Sequence, residues 1–226
     1  MRLALTITAA LVATAAPAQK TERVARDWSA VAAQNAAGAY VIGDPAARVK
    51  VVEWASYTCP HCADFSVRSE PVLKDRMIRS GSTSLEIRHL IRDPFDLAAA
   101  LLVRCAGPRG FGEAHAAVFA AQPQWLARAA AFQRSDGARM AKLPQARRIA
   151  AAADGSGLTA LIRARGLPAA AAAKCLGDEA AMKRLVQASA PPPEVTGTPS
   201  FFVNGRHAPV HDWAGLEPVL RAAGAR

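Results

Sequence analysis

Four cysteines are spread over 226 residues, and two of them, Cys59 and Cys62, stand at C-x-x-C spacing in "VKVVEWASYTCPHCADF", residues 49–65. A cysteine sulfur attacks or ligates only as thiolate. Two thiols so spaced could serve as a zinc clamp, a structural staple or a reversible dithiol. The residues "PHCADFSVRSE" read as a helix with Pro60 near its start, where a missing N–H costs nothing. Cys59 then meets the positive end of the helix dipole and unpaired backbone N–H groups, and Cys62 lies one turn further in. A second thiol at that place can resolve a mixed disulfide formed on the first, so the spacing fits exchange chemistry. A structural zinc site needs four ligands. Cys105 and Cys175 stand alone in "VRCAG" and "AKCLG", and His61 is boxed between the paired cysteines, poorly placed as a third ligand. No metal is therefore expected. His89, His115, His207 and His211 share no ligand spacing and read as structural or surface residues.

Two further signals flank this pair. Glu53 is an acid inside the apolar run "VVEWA", six positions before Cys59. It either points to solvent from an edge strand or is buried beside the thiols, with Arg88 or Arg92 as candidate basic partners. Later, "TGTPSFFVNG" carries Thr198-Pro199 directly into a strand; a proline at the first residue of a strand can be an ordinary edge feature.

The elements that must hold these residues are legible in outline. "AYVIG" and "VKVVEWASY" read as strands, the second as a nearly continuous apolar run typical of a central position. Residues 21–38 are Ala-rich and polar and suggest one short helix. Pro71 should kink or restart the helix that begins at Pro60. "STSLEIRHLIRD" alternates as a strand through Leu85 and Ile87 and, after a slip, continues at Leu90 and Ile91, which completes a βαβ unit. From about residue 96 to 190 the composition shifts to Ala, Leu and Arg at helical spacing. Strands return at "TPSFFVNG" and "HAPV", a hairpin across Asn204-Gly205, and "DWAGLEPVLRAAG" is a closing helix capped by Asp212.

Composition narrows the classes. An apolar share of 51% is enough for an ordinary core and argues against disorder. The first residues, "MRLALTITAALVATAAPAQK", have a basic start at Arg2, an apolar stretch and an Ala16-Pro17-Ala18 cleavage pattern, so residues 1–18 read as a secretory signal with the mature chain starting near Gln19. A membrane anchor is the alternative, but the run is shorter than the roughly 18 apolar residues a span requires. An exported chain permits disulfides, and four cysteines allow two pairs. Without the signal the chain carries a net charge of +9, from 27 basic and 18 acidic residues. Its arginines are scattered and aromatics are only 6%, so no nucleic-acid partner is expected.

"CPHC" after a strand together with "TP" before a late strand closely resembles the thioredoxin superfamily, and the helical insertion resembles its DsbA-like branch of secreted thiol-disulfide oxidoreductases. The resemblance covers about Gly38 to the C-terminus. It implies an α/β fold, a thioredoxin fold with an inserted all-helical subdomain: a segment at 19–38, a first part of the core at 39–94, the insertion at 95–190 and a second part of the core at 191–226. It implies Cys59 as the attacking cysteine, Cys62 as the resolving one, and Pro60 and His61 as the dipeptide that tunes the couple, with His61 adding a hydrogen bond or partial positive charge. Pro199 would be a cis-proline facing the pair, Thr198 would offer backbone hydrogen bonds to an extended substrate, and Glu53 would assist proton transfer at the resolving thiol. Cys105 and Cys175 would form a second, structural disulfide; the alternatives are two reduced buried cysteines or a pair that modulates the first.

By the same resemblance the redox group is the Cys59–Cys62 disulfide itself, with no cofactor. The substrates would be reduced or unfolded secreted proteins, the re-oxidant a DsbB-type membrane quinone-linked protein, the compartment the periplasm and the state a monomer. An isomerase or reductase is the alternative, because Thr198 departs from the valine of the best-known DsbA proteins. A non-catalytic peptide-binding module or chaperone is the alternative from another class.

Overall fold

The computed structural model describes residues 26–226. The expected signal segment at 1–18 and the start of the 19–38 segment lie outside the described residues.

Among the described residues six strands form one mixed sheet in the order β1-β2-β4-β3-β5-β6. β3 (Val49–Ala55) is central, as its apolar run requires, and pairs parallel with β4 (Thr83–His89) and antiparallel with β5 (Ser200–Val203). β2 (Tyr40–Gly43) pairs antiparallel with β4. Gly43 has φ 110°, and a Cβ there would sit 2.9 Å from the Thr83 carbonyl oxygen, so the two strands close together only with glycine at this point. β5 returns through Asn204 and Gly205, both at positive φ, into β6 (Arg206–Ala208), the turn expected from Asn-Gly.

Three expectations are corrected. Residues 21–38 do not form one short helix: the described part holds a single 3₁₀ turn at Trp28–Ala30 and then β1 (Ala32–Gln34), which adds an edge to the sheet beside β2. Ala and Gln carry little strand signal, and the pairing partner rather than propensity decides the conformation. Strand β4 stops at His89, so Leu90 and Ile91 do not continue it. The helix α1 (Pro60–Ser69) neither ends nor restarts at Pro71; it widens into π-helical turns over Glu70–Ile78. Pro71 lacks an N–H and its ring crowds the carbonyl four residues back, and wider turns accommodate both faults while keeping the chain helical.

Between β4 and β5 runs an all-helical insertion, from α2 (Pro94–Cys105) through α3 (Gly107–Ala120), α4 (Gln122–Ala141), α5 (Gln145–Gly155), α6 (Leu158–Arg163) and α7 (Ala169–Gly177) to α8 (Glu179–Gln187). α2 is its axis. Every residue from Phe95 to Val103 is buried, and a helix apolar on all sides belongs inside a bundle. The triple Ala98-Ala99-Ala100 lets neighbouring helices approach closely.

The closing helix α9 (Trp213–Ala222), capped by Asp212 on the Gly215 N–H, packs against α1. There Phe65 lies 4.6 Å from Phe201 and 6.4 Å from Trp213 between ring centroids. Among the described residues no helix is long and apolar enough to cross a membrane.

Candidate active site

The βαβ unit delivers Cys59 to the end of β3 as the N-cap of α1, with φ −90° and ψ 118°. Pro60 is the first helical residue, as its fixed φ favours, and both Pro60 and His61 are exposed. Both sulfurs are free thiols, with Cys59 3% and Cys62 0% exposed, so the pair can be reached only through Cys59.

Their electrostatics are opposite. Cys59 is lowered to about 4: the Cys62 thiol, the Thr198 side chain and the backbone N–H groups of Cys62 and His61 all favour its thiolate, and together they outweigh partial burial. Cys62 is pushed far above the ordinary thiol range, first by burial, then by donating its proton to Cys59 and by the nearby charges of Glu53 and Cys59. In the protonated state Cys59 donates instead to the Thr198 carbonyl oxygen, at 3.2 Å. His61 contributes through its backbone N–H; among the described residues its imidazole makes no hydrogen bond.

Thr198 sits against the pair, and its peptide bond to Pro199, just before β5, is cis. The Pro199 carbonyl accepts from His211 Nδ1 at 3.1 Å, which ties the loop before β5 to the start of α9.

Glu53 lies on central β3, not on an edge, and is 1% exposed. Its carboxyl is raised to about 8, by burial first and then by the Cys59 charge. Neither candidate arginine pairs with it. Arg88 bonds Glu86 at 2.6 Å, and Arg92 donates to Ser56 and Thr58. The reason is strand geometry: Glu53 is opposite Ile87 in the register, and Arg88, one residue on, points to the other face. Among the described residues Glu53 Oε1 has no hydrogen-bond partner, and the side chain borders a cavity of about 50 Å³ shared with Ser69, Lys74 and His115.

A set of residues that gave no motif signal holds the loop from Ser56 to Cys59. Asp96, in the first turn of α2, accepts from Ser56 Oγ at 2.5 Å, from the Tyr57 N–H at 2.8 Å and from the Arg92 N–H at 3.2 Å. Asp93 caps α2 and also accepts from Thr58 Oγ1 at 2.8 Å. Gln122 donates to both the Tyr57 and Cys59 carbonyls, at 2.8 and 2.9 Å, and Tyr57 Oη meets His115 Nδ1 at 2.8 Å. Only Asp93 could have been found in sequence, since Asp before Pro and an apolar run is a helix-start signature. Its second contact, and those of Asp96 and Gln122, depend on the insertion folding back over the loop.

Away from this pair, Cys105 at the end of α2 and Cys175 in α7 are joined in a disulfide with Cα atoms 6.1 Å apart. His89 and His115 are buried, and His207 lies on Phe202 in the hairpin. Among the described residues no cluster of three His, Cys, Asp or Glu could hold a metal ion.

A thioredoxin family model matches residues 35–221. The chain belongs to the thioredoxin family. The crystal structure of a protein-disulfide isomerase from Novosphingobium aromaticivorans superposes on this thioredoxin-like chain with a TM-score of 0.75 and 35% identity, over 81% of this chain and 96% of that one. DsbA1 of Wolbachia pipientis shares the fold, with a TM-score of 0.67 and 21% identity over 84% and 92% of the two chains. A Rickettsia prowazekii protein named as a candidate protein-disulfide oxidoreductase is 31% identical over 169 residues, 73% of this chain and 54% of its own length. The chain thus spans about half the length of the curated relatives it matches. The fold is the DsbA-like one, a thioredoxin sheet interrupted by a helical insertion.

Proposed function

We propose that this protein is a thiol:disulfide oxidoreductase that donates its Cys59–Cys62 disulfide to reduced or unfolded exported proteins. The asymmetry of the pair carries the reading: a thiolate favoured on Cys59 at the helix start and a thiol favoured on the more deeply buried Cys62. A substrate thiolate attacks Cys59 Sγ, the Cys59–Cys62 bond breaks, and the electron pair leaves on Cys62. Glu53, protonated at neutral pH, gives its proton to that buried sulfur. The cavity beside Glu53 has room for about one water, a path by which the carboxyl regains a proton from solvent. A second substrate thiolate then attacks the substrate sulfur of the mixed disulfide. Cys59 departs as a stabilised thiolate, and a leaving thiol of low pKa departs faster. Two electrons have moved from the substrate dithiol to the cysteine pair.

The same stabilisation favours the reduced protein and so makes the couple oxidising. Thr198 and cis-Pro199 form the wall along which an extended substrate backbone would lie. The pair itself is the redox group, so no cofactor takes part. Re-oxidation falls to a DsbB-type membrane quinone-linked protein, and the setting is the periplasm, reached through cleavage of residues 1–18, with the mature chain a monomer. The name of the Rickettsia relative supports oxidoreductase chemistry.

An isomerase is the second reading, favoured by the name of the Novosphingobium relative and by Thr198 before the cis-proline. Oxidative refolding of reduced ribonuclease A tests the proposal. The wild-type disulfide form should regenerate active enzyme stoichiometrically and Cys59→Ser should abolish this; Cys62→Ala, with no disulfide to donate, should also be inactive on the reduced form but should accumulate a mixed disulfide when its Cys59 thiolate attacks a disulfide of scrambled ribonuclease. Faster rescue of scrambled ribonuclease than of the reduced form would favour the isomerase. If wild type and Cys59→Ser raised the refolding yield equally, and only with glutathione disulfide present as a separate oxidant, the protein would be a peptide-binding module.

A further inference from the structure

A cavity of about 710 Å³ lies away from the cysteine pair, between the ends of β3 and β4, the turn after β1 and helices α2, α7 and α8. Its size is that of an ordinary small-molecule site. Neither Cys59 and Cys62 nor Thr198 and Pro199 lines it.

Its walls are apolar at Trp54, Leu101 and Leu185, and its charges do not balance. Arg88 is neutralised by Glu86. Arg104, half-buried at the end of α2, spends one N–H on the Gly38 carbonyl at 2.6 Å and lies over the Tyr40 ring at 5.2 Å. A guanidinium has five N–H donors, and among the described residues no other acceptor and no carboxylate reaches it. Arg184 on α8 lines the same cavity, also without a carboxylate partner among the described residues, and its charge disfavours that of Arg104. Asp178 is the one acid on the wall, engaged as the N-cap of α8 through the Ala181 N–H. One positive charge therefore remains uncompensated. His89 also lines the cavity, is 4% exposed and, among the described residues, has neither ring nitrogen hydrogen-bonded. Buried polar groups without partners are rare and point to an absent one.

We propose that this cleft binds a small organic carboxylate, its charge on Arg104 and Arg184 within reach of His89, and its apolar body on Trp54, Leu101 and Leu185. An anion there supplies what the site lacks, two acceptor oxygens for guanidinium donors and a charge of the missing sign. The class is a monocarboxylate, since one net positive charge is left to neutralise. The Cys105–Cys175 disulfide is part of the wall and ties together two of the helices that shape it, and His89 stacks at 5.4 Å on Tyr57 in the loop before Cys59. Occupancy would thus be felt two residues from the reactive thiol.

Titration calorimetry on the full oxidised chain tests this with hexanoate and 4-phenylbutyrate, each against its neutral amide. The acids should bind saturably, with Kd of about 1 mM or tighter, and the amides at least tenfold more weakly. Arg104→Met should weaken the acids by at least tenfold. Arg184→Met, at an exposed position that does not endanger the fold, should weaken them severalfold with an unchanged urea midpoint. No saturable heat from either acid, equal binding of acid and amide, or wild-type affinity in Arg184→Met would each overturn the proposal.

Discussion

At the scale of the residue, the chemistry turns on three side chains whose pKa values are driven apart. Cys59, lowered to about 4, should be alkylated by iodoacetamide with a pH midpoint near that value, where an unperturbed thiol gives a midpoint near about 8.5. The linked stability has a definite sign. Its folded pKa lies below the unfolded one, so the stability it gives the reduced form is fully present above the unfolded value and is lost as pH falls through about 4. The oxidised form has no such group. Thermal melts should therefore show the reduced form more stable than the oxidised at pH 7, with the gap closing toward pH 4. Glu53 has the opposite sign: raised to about 8, it costs stability as pH rises from its ordinary value toward 8. Glu53→Gln removes a buried ionisable group, so the variant should melt higher than wild type at pH 9 while attack of a substrate thiol on its disulfide, the step in which Cys62 leaves, slows by about 10²-fold, the scale of lost acid–base catalysis. Stopped-flow mixing with a thiol peptide reads that step.

At the scale of the element, the loop before Cys59 is held from the start of α2 and from α4, and the disulfide at the far end of α2 secures the insertion. Asp96→Asn keeps an acceptor for the Tyr57 N–H but turns an amide N–H₂ toward Ser56 and the Arg92 N–H. Loss of one buried partner costs about 1–3 kcal/mol. The variant should unfold at lower urea concentration and shift the Cys59 alkylation midpoint upward as the loop loosens. Replacing Cys105 and Cys175 together by alanine opens a loop of 70 residues, worth about 4 kcal/mol in the chain-entropy model. A melting temperature lower by about 10 °C with disulfide donation retained would mark the bond as structural.

What could be read at this scale follows from how local each signal is. β3, α1, β5 and the β5–β6 turn were visible because apolar runs, Pro60 and Asn204-Gly205 act within a few residues. β1 was not visible, because Ala32–Gln34 becomes a strand only against β2. The widened turns after Pro71 were not visible either, since a proline announces a fault in the helix but not how the chain absorbs it.

At the scale of the whole molecule, the insertion is part of the site and not an appendage to it. It brings Asp96 and Gln122 to the active-site loop from positions 37 and 63 residues beyond Cys59, a proximity no spacing rule contains. The motif residues could be named from the sequence because exchange chemistry restricts them to a helix start and to the strand opposite. The residues that hold them could not, and neither could the absence of an arginine beside Glu53, which is a matter of which face of β4 Arg88 occupies.

The central claim, that thiolate stabilisation at Cys59 makes this pair a disulfide donor, is tested most directly by the reduction potential of Cys59–Cys62 in glutathione buffers, with Cys105 and Cys175 followed separately by mass spectrometry. A value near about −120 mV is expected. A value near about −270 mV, that of a thioredoxin-type reductant, would contradict the account.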